Sequence, residues 1–483
     1  MFLRSISTVL FSVLIAVGTA NAATFDAALE DALNAARPGE TINAYITLAD
    51  RVDLSKLVRE MDRRDLNRAQ RHYLVVTELQ DRAAETQGAL LSSLNARLGT
   101  DVAYIKSFWI ANAVAIEATP AFIETLRPRT DIASVYLDAP IQLIEPVDAS
   151  LPIAASAAAG IAPGIQVARA PELWALGIDG TGTLACDQDT GADGTHPAFA
   201  DRWRGLDGGV DPSAAWFDPV ASETFPTDSG SHGTHTLGTI LGNGPTGQQI
   251  GMAPGAKWIG AKTIDIPGGN IYSDAVAAFQ WMADPDGNPV TVEDVPDAVN
   301  NSWGIPISIC NTDFYDSIDA AEAAGVIVVF AAGNEGPFPK SLRYPANRIT
   351  TDLNAFAVGA LKQGGQEIAG FSSRGPSRCD HQTIKPEVAA VGDNVISSTP
   401  ERLLRRAERN VDGGAPRHRR RASSPSGLSG SHGGPGQNGA LRHGDRPWTR
   451  RRRQHLRPRT DRRRRSLLLA SRGNDRLRRA NFR

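Results

Sequence analysis

Three short stretches of this 483-residue chain hold side chains whose types and spacing suit catalysis. In Asp228-Ser-Gly-Ser-His-Gly-Thr-His-Thr-Leu-Gly-Thr239, His232 stands among glycines and hydroxyls at the start of an apolar run, a setting that suits a general base where loop becomes helix. Gly233 and Gly238 leave room for close backbone approach, and Leu237, Ile240 and Leu241 fall at helical spacing. Asp189 of Asp189-Thr-Gly191 follows directly on a strand-like run, where its carboxylate can orient an imidazole and stabilise the protonated form. Asn334 of Ala331-Ala-Gly-Asn-Glu-Gly336 follows another, and its amide can donate to an oxygen that gains charge, an effect of about 3 kcal/mol when such a donor is removed. Asn300-Asn-Ser-Trp-Gly304 ends a third run and offers an extended backbone edge with a glycine opening, suited to pairing with a peptide. Each alone has a plainer reading: a loop histidine, a turn aspartate, an Asn-Gly loop. Their joint order, and the elements that place them, separate the two readings.

After Pro171, apolar strand-like runs alternate with helical ones, which predicts a mainly parallel sheet with helices on both faces, a doubly wound α/β fold. The expected strands are 182–188, 257–263, 297–301, 326–332, 355–360 and 395–398. The expected helices are 232–241, 273–282 and 312–324, the last stopped by Gly325. In such sheets the working residues gather at the carboxyl ends of the strands. Asp189, Asn334 and the 300–304 edge all fall there.

The rest of the chain divides by composition. Residues 1–22 carry Arg4, an apolar run from Val9 to Val17 and small residues at Ala20-Asn21-Ala22, which together read as a secretory signal peptide. The run is too short for a membrane anchor, so the protein is expected outside the cell or in the periplasm, with no membrane contact after cleavage. Residues 23–146 pattern as a separate α+β unit of about 100 residues. Its expected elements are a strand at 42–48, a helical stretch at 77–98, strands at 102–109 and 113–117, a short helix from the Thr119 cap to Leu126, and a strand at 132–137. Residues 147–169 read as a linker, exposed and rich in Ala, Gly and Pro over 151–164, and 170–400 as the main body. Residues 401–483 hold 25 Arg, no Lys and 6 acids, a balance of +19 against −21 for the first 400, and pattern as a disordered tail.

DTGADGTHPAF from Asp189, SHGTHTLGTILG from Ser231 and VVFAAGNEGP from Val328, with FSSRGP at Phe371 and KPEVAAVGDNV at Lys385, resemble the subtilisin-like serine peptidases over roughly 170–399. The resemblance implies that Asp189 and His232 are the acid and base of a triad, that Asn334 is the oxyanion donor, and that Ser302, Trp303 and Gly304 with Ala331, Ala332 and Gly333 wall the specificity cleft. It makes 23–146 a ferredoxin-like propeptide that inhibits and assists folding, and polypeptides the substrate. SFWIANAVAIEATP, with SWG and AAGNEGPF, is most similar to the bacillopeptidase-type branch.

The family pattern then departs where a triad needs its nucleophile. The expected Gly-Thr-Ser-Met-Ala-x-Pro-His is absent, and Ser423, Ser424, Ser426, Ser429 and Ser431 lie in a stretch rich in Gly, Pro and Arg. Codons built from the last two bases of one residue and the first of the next, from Ala407 onward, permit LSGTSMAAPHVTGV, with the serine codon straddling Val411 and Asp412. The reading is therefore a subtilisin-like fold truncated by a frameshift between about 395 and 407, and an inactive product of a gene for a secreted endopeptidase. The alternatives are a pseudopeptidase that binds peptides without cleaving them and a propeptide-type inhibitor. A basic nucleic-acid arm is disfavoured by export and by the lack of aromatic interleaving in the tail beyond Trp448 and Phe482.

Three cysteines allow at most one disulfide: Cys186 is expected buried on its strand, and the pairing of Cys310 with Cys379 stays open. No cofactor is assigned. The resemblance brings calcium as a candidate, but Asp284-Pro-Asp-Gly-Asn288 is too short a cluster and reads as an acidic surface loop, so no metal ligand is named.

Overall fold

The computed structural model describes residues 22–145, 149–153, 160–244, 247–264, 272–305, 310, 312, 315–349, 356–400 and 403–407, with 149–153 and 403–407 by their backbone alone. The signal peptide expected at 1–22, save its last residue, and the tail beyond 407 lie outside the described residues.

The main body is built on seven parallel strands in the order Val388–Val391, Phe356–Leu361, Ile327–Ala331, Ala298–Asn301, Leu184–Asp189, Lys257–Lys262 and Trp216–Phe217. Leu184–Asp189 is flanked on both sides, pairing Cys186 with both Ile259 and Val299. Successive side chains of a strand point to opposite faces, and here each face meets its own helix. Asp187 and Asp189 meet His232–Leu241, while Gln188 between them donates to the Ala275 carbonyl of Tyr272–Ala283. The fold is therefore doubly wound, as the alternation predicted. Tyr272–Ala283 buries Ala275, Val276, Phe279 and Met282, and Tyr315–Ala324 buries Ile318, Ala320 and Ala321. Gly325, at φ +107, ends the second of these.

Residues 22–145 form a five-stranded sheet in the order Thr24–Phe25, Ile132–Leu137, Ile42–Leu48, Ala113–Ala118, Val102–Phe108. Ile46, Val114, Ile116 and Val135 pack with Leu29, Leu90 and Leu94 of its helices. The single helical stretch expected over 77–98 is two helices, Arg68–Thr86 and Gly88–Asn95, and the first begins nine residues earlier, at the Asn67 capping box with Gln70. The polar Arg68 and His72 hide that turn from an apolar-period reading, because these two side chains serve the main body. His72 is buried with its ring nitrogens 2.7 and 3.2 Å from the Ala283 and Pro289 carbonyls, and Arg68 reaches Asp297 at 2.8 Å.

Three further expectations are corrected. Val395–Thr399 is not in the parallel sheet; it pairs antiparallel with Leu403–Ala407, which pairs with Ala149–Ile153. Its hydroxyls are turned to the helix instead, Ser397 and Ser398 donating to the His235 and Thr234 carbonyls at 2.7 Å each. The supposed exposed linker is strand at 149–153 and carries buried Ala162 and Ile165. The acidic loop is only half a surface loop: Asp286 and Asn288 are exposed, but Asp284 is buried, and burial lifts its value to about 6.

Candidate active site

Asp189 ends the central strand and is fully buried. His232 opens its helix, and its Nδ1 lies 2.7 and 2.9 Å from the two Asp189 oxygens. The approach needs two glycines. A Cβ on Gly233 would fall 1.9 Å from the Gly191 carbonyl oxygen, and one on Gly191, at φ +116, 2.0 Å from that of Thr227. Asp228 then fastens turn to helix, accepting from Thr190 Oγ1 (2.7 Å), Gly230 N (3.0 Å) and Thr234 N (2.9 Å). It satisfies donors that the first turn of a helix leaves without partners.

Behind the pair stands a second carboxyl. Asp187, two residues before Asp189 and on the same face, takes Asn300 Nδ2 at 2.8 Å and Thr236 Oγ1 at 2.7 Å. Burial foremost, then the Asp189 charge, pushes Asp187 well above the usual carboxyl range, against those two hydrogen bonds. For His232, burial works to lower the value; the charge and hydrogen bond of Asp189, backed by Asp187 and Asp228, outweigh it, and the net shift is upward. His235, one turn on, is pushed down to about 4 by burial and by the neighbouring His232.

His232 faces a cavity of about 400 Å³ that Ser302, Ala331, Ala332, Gly333 and Asn334 also line. The 302–304 segment contributes its main chain. Trp303 and Gly304 do not line the cavity: the Trp303 ring is buried edge-on against Phe330 at 5.2 Å, while its backbone and that of Gly304 pair antiparallel with Leu143 and Gln142. Ile144 N donates to Ser302 O at 3.0 Å, and Asn334 Nδ2 to the Glu145 carbonyl at 2.7 Å. The end of the 22–145 unit thus lies as an added strand in the cleft, its last described carbonyl on the amide assigned to the oxyanion. Among the described residues no hydroxyl or thiol hydrogen-bonds His232 Nε2.

The structure brings together Asp189, His232, Asn334, Ser302 and the 331–333 strip. The sequence reading gave no role to Asp187, Thr236, Asp228 or Glu145. Asp187 had a signal in the strand's two-residue period, and Asp228 and Thr236 stand four residues to either side of His232; Glu145 meets the site only through the fold.

Cys310 and Cys379 are joined in a disulfide across 69 positions of sequence, and Cys186 is buried with its thiol pushed up by burial. Among the described residues, no group of three or more His, Cys, Asp or Glu is placed to hold a metal ion.

A buried carboxylate, an imidazole and an amide donor stand around one cleft of a doubly wound sheet, groups of the kind that acyl transfer uses. The chain belongs to the subtilase family, whose pattern matches residues 180–425. It is 35% identical to Bacillopeptidase F of Bacillus subtilis (strain 168) over 351 residues, 68% of this chain and 24% of that protein. Subtilisin E of the same organism is 30% identical over 298 residues, 61% of this chain and 65% of that protein. The Major intracellular serine protease is 30% identical over 244 residues, 50% and 67% of the two chains. The chain thus spans about a quarter of the length of the first and just under two thirds of the second.

Proposed function

We propose that this chain is the frameshifted product of a gene for a secreted serine endopeptidase, in which Asp189, His232 and Asn334 are present and the attacking serine is encoded one base out of frame. In the in-frame enzyme, His232 takes the proton of the serine hydroxyl, Asp189 holds the ring by Nδ1 and stabilises the imidazolium, and Asn334 donates to the oxygen that becomes an oxyanion. The chain as written retains the binding cleft. Without its nucleophile, a triad enzyme keeps only about 10³- to 10⁴-fold over water.

The observation that carries this reading is the His232 imidazole, oriented by Asp189 and facing the 400 Å³ cavity with no described hydroxyl against it. A second apolar cavity of about 360 Å³ shares Thr239, Ala390, Val391 and Val395 with the first. The strand Val388–Val391 leaves Val388, Ala389 and Ala390 exposed, where parallel sheets are covered on both faces. Val388 and Ala390 share one face of this outermost strand and Ala389 the other, and the paired cavities suit the loss of a helix beside it.

Residues 23–146 serve in this reading as propeptide and cleft inhibitor. Support comes from the strand laid along 303–304 and from the docking of the unit on Tyr272–Ala283, where Asp138 accepts from Ser273 N at 2.9 Å and Gln280 accepts from Trp109 N at 2.7 Å. The same strand favours the second reading, a chain that holds peptides without cutting them. Export, proposed from residues 1–22, agrees with the Cys310–Cys379 disulfide, since such bonds persist in oxidising compartments.

Sequencing across codons 395–410, with the chain and a one-base-restored version expressed side by side, tests the proposal. Only the restored version is expected to hydrolyse peptides and to take a serine-directed phosphonate covalently. Labelling of the chain as written would end the idea; peptide binding without labelling of either version would favour the pseudopeptidase.

A further inference from the structure

We propose that Arg343 is a positioning residue that grips the main chain of an extended peptide lying along Trp303–Gly304, an inference that rests on the reading of this cleft as peptide-binding. Its guanidinium is divided between two tasks. Nε and Nη2 lie 2.8 and 2.7 Å from Glu335 Oε1, while Nη1 donates to the Leu143 carbonyl at 3.0 Å and reaches the Gln142 carbonyl at 3.4 Å. Those are the two residues whose backbones pair with Trp303 and Gly304. One cation therefore holds the strand from the side while the cleft edge holds it along its length.

The side chain is fixed for this work. It runs between two glycines, Gly304 and Gly333. A Cβ on Gly304 would stand 3.0 and 3.3 Å from the Arg343 Cβ and Cδ, and one on Gly333 would stand 3.1 Å from Cγ. Arg343 N donates to Ala332 O at 3.1 Å, and Glu335 is itself held by Ser373, whose Oγ donates to Oε2 at 3.1 Å. Only 13% of the arginine side chain is exposed. A planar fork fixed in this way loses little freedom when it binds.

The partners of Nη1 are carbonyl oxygens, which every residue supplies. Arg343 therefore recognises an extended chain without choosing its side chains. Its charge is matched by Glu335, so acidic peptides gain no advantage from it. Its first ligand is the chain's own 142–143 segment, and in the in-frame enzyme a substrate takes the same place.

Hydrogen exchange on the full-length chain tests this. In the unaltered protein, peptides covering 142–145 should exchange slowly. In R343M they should exchange faster by on the order of tenfold, since a charge-assisted bond is lost, while Leu184–Asp189 and Lys257–Lys262 keep their protection. R343M/E335Q removes the acid that the single change leaves alone, and should show the same local loss if R343M folds poorly. Unchanged exchange at 142–145 in both variants would overturn the assignment, as would a loss shared evenly with the central strands, which marks a structural ion pair. Free exchange of 142–145 in the unaltered chain would instead remove the peptide-cleft reading beneath it.

Discussion

Asn334 Nδ2 donates to the main-chain carbonyl of Glu145 at 2.7 Å, across 189 residues of sequence. The amide that the family resemblance assigns to a reaction oxyanion is occupied, in this chain, by the end of its own N-terminal unit. N334A in the frame-restored protein should lower turnover by about 10²- to 10³-fold with a small effect on KM, because the bond strengthens as charge develops. In the chain as written, the same change should only loosen 142–145. Peptidase rates and hydrogen exchange check the two halves separately.

Asp189 is the reason the His232 value lies above 6.5 despite burial. In D189N, burial acts with far less opposition, and the imidazole should titrate below its value in the unaltered chain, read from its ring-proton NMR shifts. The sign for stability follows. A histidine with a raised folded value contributes fully below the unfolded value of about 6.5 and loses that contribution as pH rises through the folded value. An unaltered His232 titration in D189N would show that the hydrogen bond at 2.7 Å does not govern the ring.

Asp187, itself buried, accepts from the half-buried Asn300 and Thr236. D187A removes the acceptor these donors share, leaving Thr236 Oγ1 the carbonyls of its own helix and Asn300 Nδ2 the Ser302 hydroxyl, and should cost about 1 kcal/mol in urea unfolding. D187N, which keeps one acceptor oxygen for the two donors, should cost less than D187A. Equal losses for the two variants would mean that packing, and not the polar network, holds this position.

The Cys310–Cys379 disulfide closes a 69-residue span that includes the strand before Asn334. Chain-entropy reasoning gives it about 4 kcal/mol. A C310S/C379S chain should melt lower, and a reducing agent should shift the melting of the unaltered chain alone.

Asp189, His232 and Asn334 could be marked as candidates because each belongs to a local pattern, a carboxylate after an apolar run or a histidine opening a helical period, and the structure gathers them at one cleft. Ile42–Leu48, Ile132–Leu137 and His232–Leu241 were legible to the residue for the same reason. The helix start at Arg68 was not, because the residues there answer to groups more than two hundred positions away, His72 to the Ala283 carbonyl among them. Val395–Thr399 looked like another parallel strand, since period and apolarity report burial but not the partner.

Residue type and spacing by themselves marked Asp189, His232 and Asn334 as candidates and determined that the strand–helix alternation yields a doubly wound sheet. Only the tertiary structure decided that Asp187 backs Asp189, that Cys310 meets Cys379, and that Glu145 and Arg343 share the cleft. Those contacts join segments remote along the chain, and a hydrogen bond or ion pair closed by the packing of whole layers leaves no periodicity in either segment.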